Sequence, residues 1–392
     1  MNVKGYDIAV IGGGIHGAGT AQAAAAAGYS VAALEMKGLA SGTSGKSSKL
    51  IHGGLRYLET AQFSLVQECL HERALLLKNA PGLVKLKKIF IPVYRETTRR
   101  PWLIRTGLSL YYALSGFNRD SGFAPVPEKE WGDLDGMDTN GLQAVFQYHE
   151  AQTDDSLLTK AVMASAMELG AELHMPAKFT GAVFERGGWS VTFEENGIIS
   201  GLRAACLVNA GGPWANRILE RIVPSQKTVP LELVQGSHII LEGTIVNGIY
   251  YIEAPADRRG VFVMPWKGKT MIGTTETVFH GDPSATAPLE SEIRYLLETA
   301  GRYFPRFRSA RAEDISDSFA GLRVLPSSGG NPFSRSRETL LHCEDMNKAK
   351  VVSIIGGKLT SYRATGESVI RKIAPYLPSV KAKAETKNLP LK

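Results

Sequence analysis

What most constrains this chain lies at its start. An apolar run, Tyr6-Asp7-Ile8-Ala9-Val10-Ile11, leads into Gly12-Gly13-Gly14-Ile15-His16-Gly17 and then an alanine-rich stretch to Ala27. The first run reads as a short parallel strand buried on both faces. Alanine has the highest helix propensity, so the stretch from Gly17 to Ala27 reads as a helix stopped by Gly28. Tyr29 to Leu34 returns to strand. A strand–helix–strand unit of this length takes the right-handed crossover and commits the region to a Rossmann-type α/β fold. Gly12, Gly14 and Gly17 fit GxGxxG, whose glycines permit a tight turn, close approach of backbone to a pyrophosphate, and close packing of helix on strand. The helix that opens there points free N–H groups and its positive dipole end at the phosphates. Glu35 closes the second strand, about 20 residues on, where a carboxylate would take the ribose hydroxyls. A dinucleotide site is expected.

Further along, the pattern predicts a helix over 62–79, ended by Pro81-Gly82, and another over 156–169 with Asp155 as its N-cap. Strand-like segments at 171–185 and 189–194 meet at Gly187-Gly188, and Cys206-Leu207-Val208-Asn209 runs into Gly211-Gly212. A mixed β region covers 229–275, a helix 289–304, and a strand, two glycines and a last helix 351–376. The lysine-rich tail 380–392 is expected to be loose. No internal repeat and no clean linker appear.

Composition excludes several classes. With 44% hydrophobic and 21% charged residues the chain is an ordinary globular protein, and its 392 residues suffice for a two-domain core. Cys69, Cys206 and Cys343 form no CxxC pair, which argues for a reducing compartment and against a zinc site or disulfide framework. The N-terminus runs straight into a strand, so no cleavable signal is expected, and no apolar run is long enough to span a bilayer. The expected location is the cytoplasm, or the membrane surface from the cytosolic side. Net charge is +7. Lys85, Lys87, Lys88, Arg95, Arg99, Arg100 and Arg105 stand against Glu96 alone in one segment, followed by Trp102-Leu103-Ile104, Leu108, Leu110, Tyr111, Tyr112, Leu114 and Phe117. A basic stretch beside an aromatic one suits a peripheral membrane contact; a solvated face beside a core helix is the plainer alternative. No recognised motif supports a nucleic-acid partner.

Flavin enzymes reduced by NAD(P)H usually carry a second nucleotide fingerprint, and none is present. A dinucleotide turn at the extreme N-terminus followed by a Ser/Thr/Gly-rich loop suits the longer dinucleotide, so FAD is the expected cofactor. That loop, Ser41 to Glu59 (SGTSGKSSKLIHGGLRYLE), closely resembles the flavin loop of FAD-dependent sn-glycerol-3-phosphate dehydrogenases, members of the D-amino-acid-oxidase-like (DAO) superfamily. Val208-Asn-Ala-Gly-Gly-Pro-Trp214, Gly236-Ser-His238, Ile272-Gly-Thr-Thr275, Gly321-Leu-Arg323 and Gly356-Gly-Lys-Leu-Thr-Ser-Tyr-Arg363 follow in the family's order. The resemblance implies a Rossmann-type FAD-binding domain (1–84, 150–228 and 318–380) interleaved with a mixed-sheet α+β substrate domain (85–149 and 229–317), the glutathione-reductase-2/DAO-like layout, with 381–392 a flexible tail.

It also implies roles. Gly12, Gly14, Gly17, Glu35, Thr43, Ser44, Ser48, Leu50, Gly212, Gly357, Lys358, Leu359 and Thr360 would bind FAD, with the 356–360 glycine loop opening the final helix. His52, Arg56, Tyr57 and Lys358 would line the reactive face, His52 as the base and His238 as a competing base or loop residue. Arg323 and Arg337 would hold a phosphate, and no metal is implied. His16 and Lys46 depart from the family's usual asparagine and arginine, and Ala23 and Ala27-Gly28 replace an acidic residue and an Arg-Gly ending. Typical relatives continue into a C-terminal helical domain, so a short form is expected. The implied reaction is oxidation of glycerol 3-phosphate, with electrons passed to a quinone or other acceptor. An oxidase of a 2-hydroxy acid or amino acid, or a flavin subunit of a larger assembly, remain alternatives.

Overall fold

The apolar runs assemble into two sheets in the computed structural model, which describes residues 4–327, 339–346 and 350–392. At the centre of the first, β1 (Gly5–Ile11) lies between β2 (Val31–Leu34) and β10 (Ile198–Asn209). β7 (Glu172–His174) flanks β2, β19 (Val351–Ile355) flanks the end of β10, and all five run parallel. β8 (Ala177–Glu185), β9 (Gly188–Glu195) and the start of β10 form an antiparallel meander. β11 (Ile222–Val223) and β18 (Leu340–His342) complete it. Helix α1 (Ile15–Ala26) packs against both α4 (Asp155–Glu168) and α7 (Tyr362–Ile373). Eleven of its twelve residues are buried, which explains its alanines: a helix covered on every side needs small apolar side chains all round, not one stripe.

In the second sheet β12 (Leu231–Leu241) pairs along its length with β17 (Ile315–Pro326), and also with β15 (Lys269–Gly273) and β16 (Thr277–Phe279). The order continues through β14 (Gly260–Trp266), β13 (Ile249–Glu253), β4 (Val84–Tyr94) and β6 (Leu142–Thr153) to β3 (Leu50–Ile51), with β5 (Ala124–Pro125) on β6. The two faces of β4 show why this sheet forms. Ile89, Ile91 and Val93 meet α2 (Phe63–Asn79) and α3 (Pro101–Leu114), whereas Phe90 and Tyr94 pack with α6 (Glu290–Tyr303). That is the period of two of a strand covered on both sides. The short α5 (Ala215–Leu219) follows the Gly211-Gly212 turn of the first sheet.

Helix α2 ties the layers with two adjacent charges. Glu72 takes Arg363 of α7 at 2.5 and 2.9 Å, while Arg73, 2% exposed, pairs with Glu150 on β6.

The structure corrects several expectations. Asp154, not Asp155, caps α4, its carboxylate accepting the N–H groups of Ser156 and Leu157. Asp155 turns inward, fully buried. The tail is not loose: Lys383 N–H donates to Ala26 O, Leu391 N–H to Asn79 O, and the Leu391 side chain is buried. The glycine loop 356–360 does not open the last helix directly, because α7 begins at Tyr362. Expected boundaries at 150 and 318 fall inside strands β6 and β17 of the second sheet.

Candidate active site

A cavity of about 970 Å³ is lined from both sheets, within the range of cofactor and ligand pockets. At one end stands the β1–α1 turn. Gly12 has φ +113°, and a Cβ there would lie 2.5 Å from Ala210 O; one on Gly17 would lie 1.8 Å from Gly12 O. Only glycine lets the turn close so tightly. The Glu35 carboxylate accepts the N–H groups of Gly13 at 2.7 Å, Lys37 at 2.8 Å and Gly38 at 3.2 Å, fixing the turn's second wall. Helix α1 starts with no side-chain cap and no acidic residue in its first turn. His16, in the cavity wall, has an Nδ1 with no hydrogen-bond partner among the described residues, and burial lowers its pKa to about 4. A helix N-terminus whose own N-cap, Gly14, offers no side-chain acceptor and an orphaned imidazole nitrogen in one cleft fit a phosphate-bearing cofactor with polar groups to offer.

The loop of residues 41–59 lies along the cavity. Thr43 Oγ1 donates to Leu322 O, and Ser44 Oγ accepts from Ile15 N–H. Buried Asp155 anchors the loop, accepting from Ser47 N–H at 2.9 Å and from Lys49 Nζ at 2.6 Å. Ser48 Oγ lies 3.0 Å from His238 Nε2, and the His238 ring stacks on Phe319. Leu50 lines the wall from β3, and Gly212 from the turn after β10. His52 is pinned through its backbone: its N–H donates to Thr360 Oγ1 at 3.1 Å, and that hydroxyl donates to His52 O at 3.3 Å. Gly357, Lys358 and Leu359 line the same space. Lys358 Nζ sits 3.7 Å from the Tyr57 ring centroid, and burial pushes the nearby Cys69 thiol up to about 11.

Beyond the loop is a cluster the sequence did not announce. Glu276, 6% exposed, is met by Arg259 at 2.7 Å, Arg323 at 3.4 Å and Arg56 at 3.9 Å. Arg323 also reaches Thr274 Oγ1 at 3.2 Å. Arg259 had no motif to mark it, and burial pulls its pKa down against the opposing pull of Glu276.

His238 gives a prediction here. Burial, then Arg323 and Lys49, lower its pKa to about 3. The unfolded chain therefore binds a proton below about pH 6.5 that the folded chain refuses until about pH 3. Stability should fall as pH drops through that window, by up to about 1.4 kcal/mol per pH unit for this proton. Denaturant unfolding at pH 7, 6 and 5 should show a shallower pH slope in His238→Gln than in the parent; equal slopes would refute the assignment.

Comparison with known proteins decides the class. The family of DAO-type FAD dependent oxidoreductases matches residues 7–363. The chain belongs to that family. It is 37% identical over 387 residues to a glycerol-3-phosphate dehydrogenase of Pseudomonas aeruginosa, covering 96% of this chain and 73% of that protein. It is 35% identical to a D-erythritol 1-phosphate dehydrogenase of Brucella abortus, covering 95% of this chain and 74% of that one. The solved glycerol-3-phosphate dehydrogenase of Bacillus halodurans complexed with FAD superposes with a TM-score of 0.79 at 27% identity, over 99% of this chain and 68% of that one. This is an FAD-dependent oxidoreductase whose fold and cofactor agree with the glycine turn described above.

In this flavoenzyme the cavity wall includes Gly12, Gly14, Glu35, Thr43, Ser44, Ser48, Leu50, His52, Arg56, Tyr57, Gly212, His238, Arg323, Gly357, Lys358, Leu359 and Thr360. Gly17 serves packing behind the turn. Arg337 lies outside the described residues. Sequence reasoning missed Arg259, Glu276 and the anchoring role of Asp155. The signal for Asp155 was the pair Asp154-Asp155, one acid more than a cap needs.

Proposed function

We propose that the enzyme oxidises sn-glycerol 3-phosphate to glycerone phosphate and passes the electrons to a quinone. The observation that carries the substrate is the cluster of Arg56, Arg259 and Arg323 about Glu276 in the flavin cavity. Three guanidiniums converge there on one carboxylate, with Asp257 3.8 Å from Arg259, and their planar forks suit the oxygens of a phosphate. A carboxylate substrate, as an amino-acid oxidase takes, would need only one of them. Oxidation removes a hydride from the carbinol carbon and a proton from its hydroxyl; bound FAD supplies the hydride acceptor at N5. An alcohol does not ionise near neutral pH unaided, so a positioned base is required. His52 is assigned that role, held by Thr360 at both backbone atoms. His238 is assigned to orienting Ser48, since its Nε2 is already engaged there. Lys358 and Tyr57 supply positive charge and a ring wall beside it.

Support for an apolar acceptor comes from α3. Leu103 and Leu110 are at once cavity wall and exposed surface, and Trp102 on the same helix and Phe117 just past its end are 68% and 66% exposed. No helix among the described residues is long and apolar enough to cross a membrane, so the contact assigned to α3 is peripheral. Arg99 is engaged with Glu59 and Glu253, while Arg100 and Arg105 are exposed beside the apolar side chains. Burying each apolar side chain is worth about 1.5–3 kcal/mol. The Trp102→Ser, Phe117→Ser pair should therefore lower affinity for anionic phospholipid vesicles at least tenfold in a sedimentation assay; unchanged binding would remove α3 from the contact.

The likeness to a D-erythritol 1-phosphate dehydrogenase favours a second reading, a longer phosphorylated polyol. Steady-state kcat/KM for glycerol 3-phosphate, D-erythritol 1-phosphate and unphosphorylated glycerol tests both. Either phosphate ester should exceed glycerol by at least a hundredfold, and the larger value names the substrate. Equal rates with glycerol would overturn the phosphate site.

A further inference from the structure

Behind the arginine cluster sits a buried carboxylate that the reaction above does not use. Glu292 is the third residue of α6, and it accepts the N–H of Leu289 at 3.1 Å, an ordinary device for closing a helix start. That task occupies one lone pair. Glu292 takes four more donors. Gln235 Nε2 at 2.7 Å and Ser237 Oγ at 2.6 Å come from β12. Thr275 Oγ1 at 2.7 Å and Thr277 Oγ1 at 2.8 Å come from the chain that leaves β15 and enters β16. The Ser237 N–H in turn donates to Thr275 Oγ1 at 2.9 Å, closing the group. Hydrogen bonds to an ionised acceptor are roughly twice as strong as neutral ones, so a carboxylate shared in this way fixes the two segments relative to each other.

The alternation of extended chain turns this grip toward the cavity. Gln235 and Ser237 face Glu292, while Gly236 and His238 line the cavity. Thr275 and Thr277 face Glu292, while Thr274 and Glu276 line the cavity. The arginines rest on this second segment. Arg323 donates to Thr274 Oγ1 at 3.2 Å and to Thr275 O at 3.4 Å, and meets the Glu276 carboxylate. Arg259 donates to Glu276 O at 3.2 Å as well as pairing with its carboxylate. Gly236 leaves them room, for a Cβ there would lie 2.5 Å from Thr274 Oγ1 and 2.9 Å from Arg323 Nη2. Both guanidiniums thus lean on one three-residue segment, which Glu292 holds from behind.

We propose that Glu292 is a positioning residue for substrate binding: by gripping Ser237, Thr275 and Thr277 it sets the 274–276 segment that aims Arg259 and Arg323, and so fixes where the phosphate is held. The inference deepens the reading proposed above and rests on it.

Thr275→Val keeps the side chain's shape and removes the hydroxyl that joins Glu292 to the segment, whereas Thr275→Ser keeps the hydroxyl. Glu292→Gln offers one acceptor oxygen where two are used. In the FAD-loaded protein, the Kd for inorganic phosphate, read from the flavin difference spectrum, should rise at least tenfold in Thr275→Val and in Glu292→Gln. It should stay within twofold of the parent in Thr275→Ser. The KM for glycerol 3-phosphate should follow the same order with kcat within threefold throughout, since no group lining the cavity is changed. Thr275→Val and Glu292→Gln that bind phosphate as the parent does, whatever their loss of stability, would overturn the positioning role and leave Glu292 a helix cap. Equal weakening in Thr275→Ser would also overturn it, by laying the effect to packing. A parent that binds phosphate but is not reduced by glycerol 3-phosphate sinks the proposed reaction alone, and the phosphate titration still decides the inference. A parent that binds no phosphate overturns both.

Discussion

Arg323→Ala is expected to raise the KM for glycerol 3-phosphate by roughly 30- to 1000-fold while the purified protein keeps its FAD. The range corresponds to about 2–4 kcal/mol for one desolvated charge-assisted contact. Arg323 projects from β17 at the register where it faces Val234 of β12, with its guanidinium directed to Thr274 and Glu276. Its loss therefore falls on the anion and not on the dinucleotide. Arg259→Ala should act in the same direction. Its guanidinium makes the shortest contact to Glu276 in the cluster, so its removal also frees the carboxylate to repel the phosphate. The measurement is steady-state kinetics with the flavin content of each preparation fixed from its visible absorbance. Lost flavin with unchanged KM in the occupied fraction would make these arginines structural.

Asp155→Ala is expected to destabilise the protein by about 3–5 kcal/mol, because it leaves the Lys49 ammonium buried without its partner. Lys49 and Asp155 are 6% and 0% exposed, and the same carboxylate holds the backbone and hydroxyl of Ser47. The loss would be felt beyond stability, since Ser47 and Lys49 flank Ser48 in the loop that lines the flavin cavity. Urea unfolding should show the fall in midpoint, and FAD titration of the surviving folded protein a weaker affinity. A variant within 1 kcal/mol of the parent would mean that the hydrogen bond Lys49 already donates to Gly45 O at 2.6 Å is enough to hold the ammonium.

What the sequence made legible was local. The strand, glycine turn and alanine helix of residues 5–26 are dictated by neighbours a few positions apart, and Glu35 by the length of one crossover. Resemblance carried the reading further, to the flavin loop and to Arg323. The remainder depends on partners far apart along the chain. Asp155 looked like a cap because a cap is a local device; its partner Lys49 is 106 residues away. Arg259 stood unmarked inside the mixed β region 229–275, and only the pairing of β14 with β15 brings it near Glu276. The tail looked loose from its lysines, yet the acceptors that fix it, Ala26 O and Asn79 O, close two helices that end hundreds of residues earlier. The Arg73–Glu150 pair was invisible for the same reason: nothing in a strand's own sequence says which charge its carboxylate will meet.

The central claim is that one cavity places a phosphorylated alcohol against FAD. Its most direct test is anaerobic addition of glycerol 3-phosphate to the purified yellow protein, followed at the visible flavin band. Loss of that band within the mixing time of a manual assay, at substrate concentrations near equimolar with the flavin, is the predicted result. A flavin that stays oxidised with glycerol 3-phosphate and D-erythritol 1-phosphate, yet bleaches with a 2-hydroxy acid or an amino acid, would contradict it.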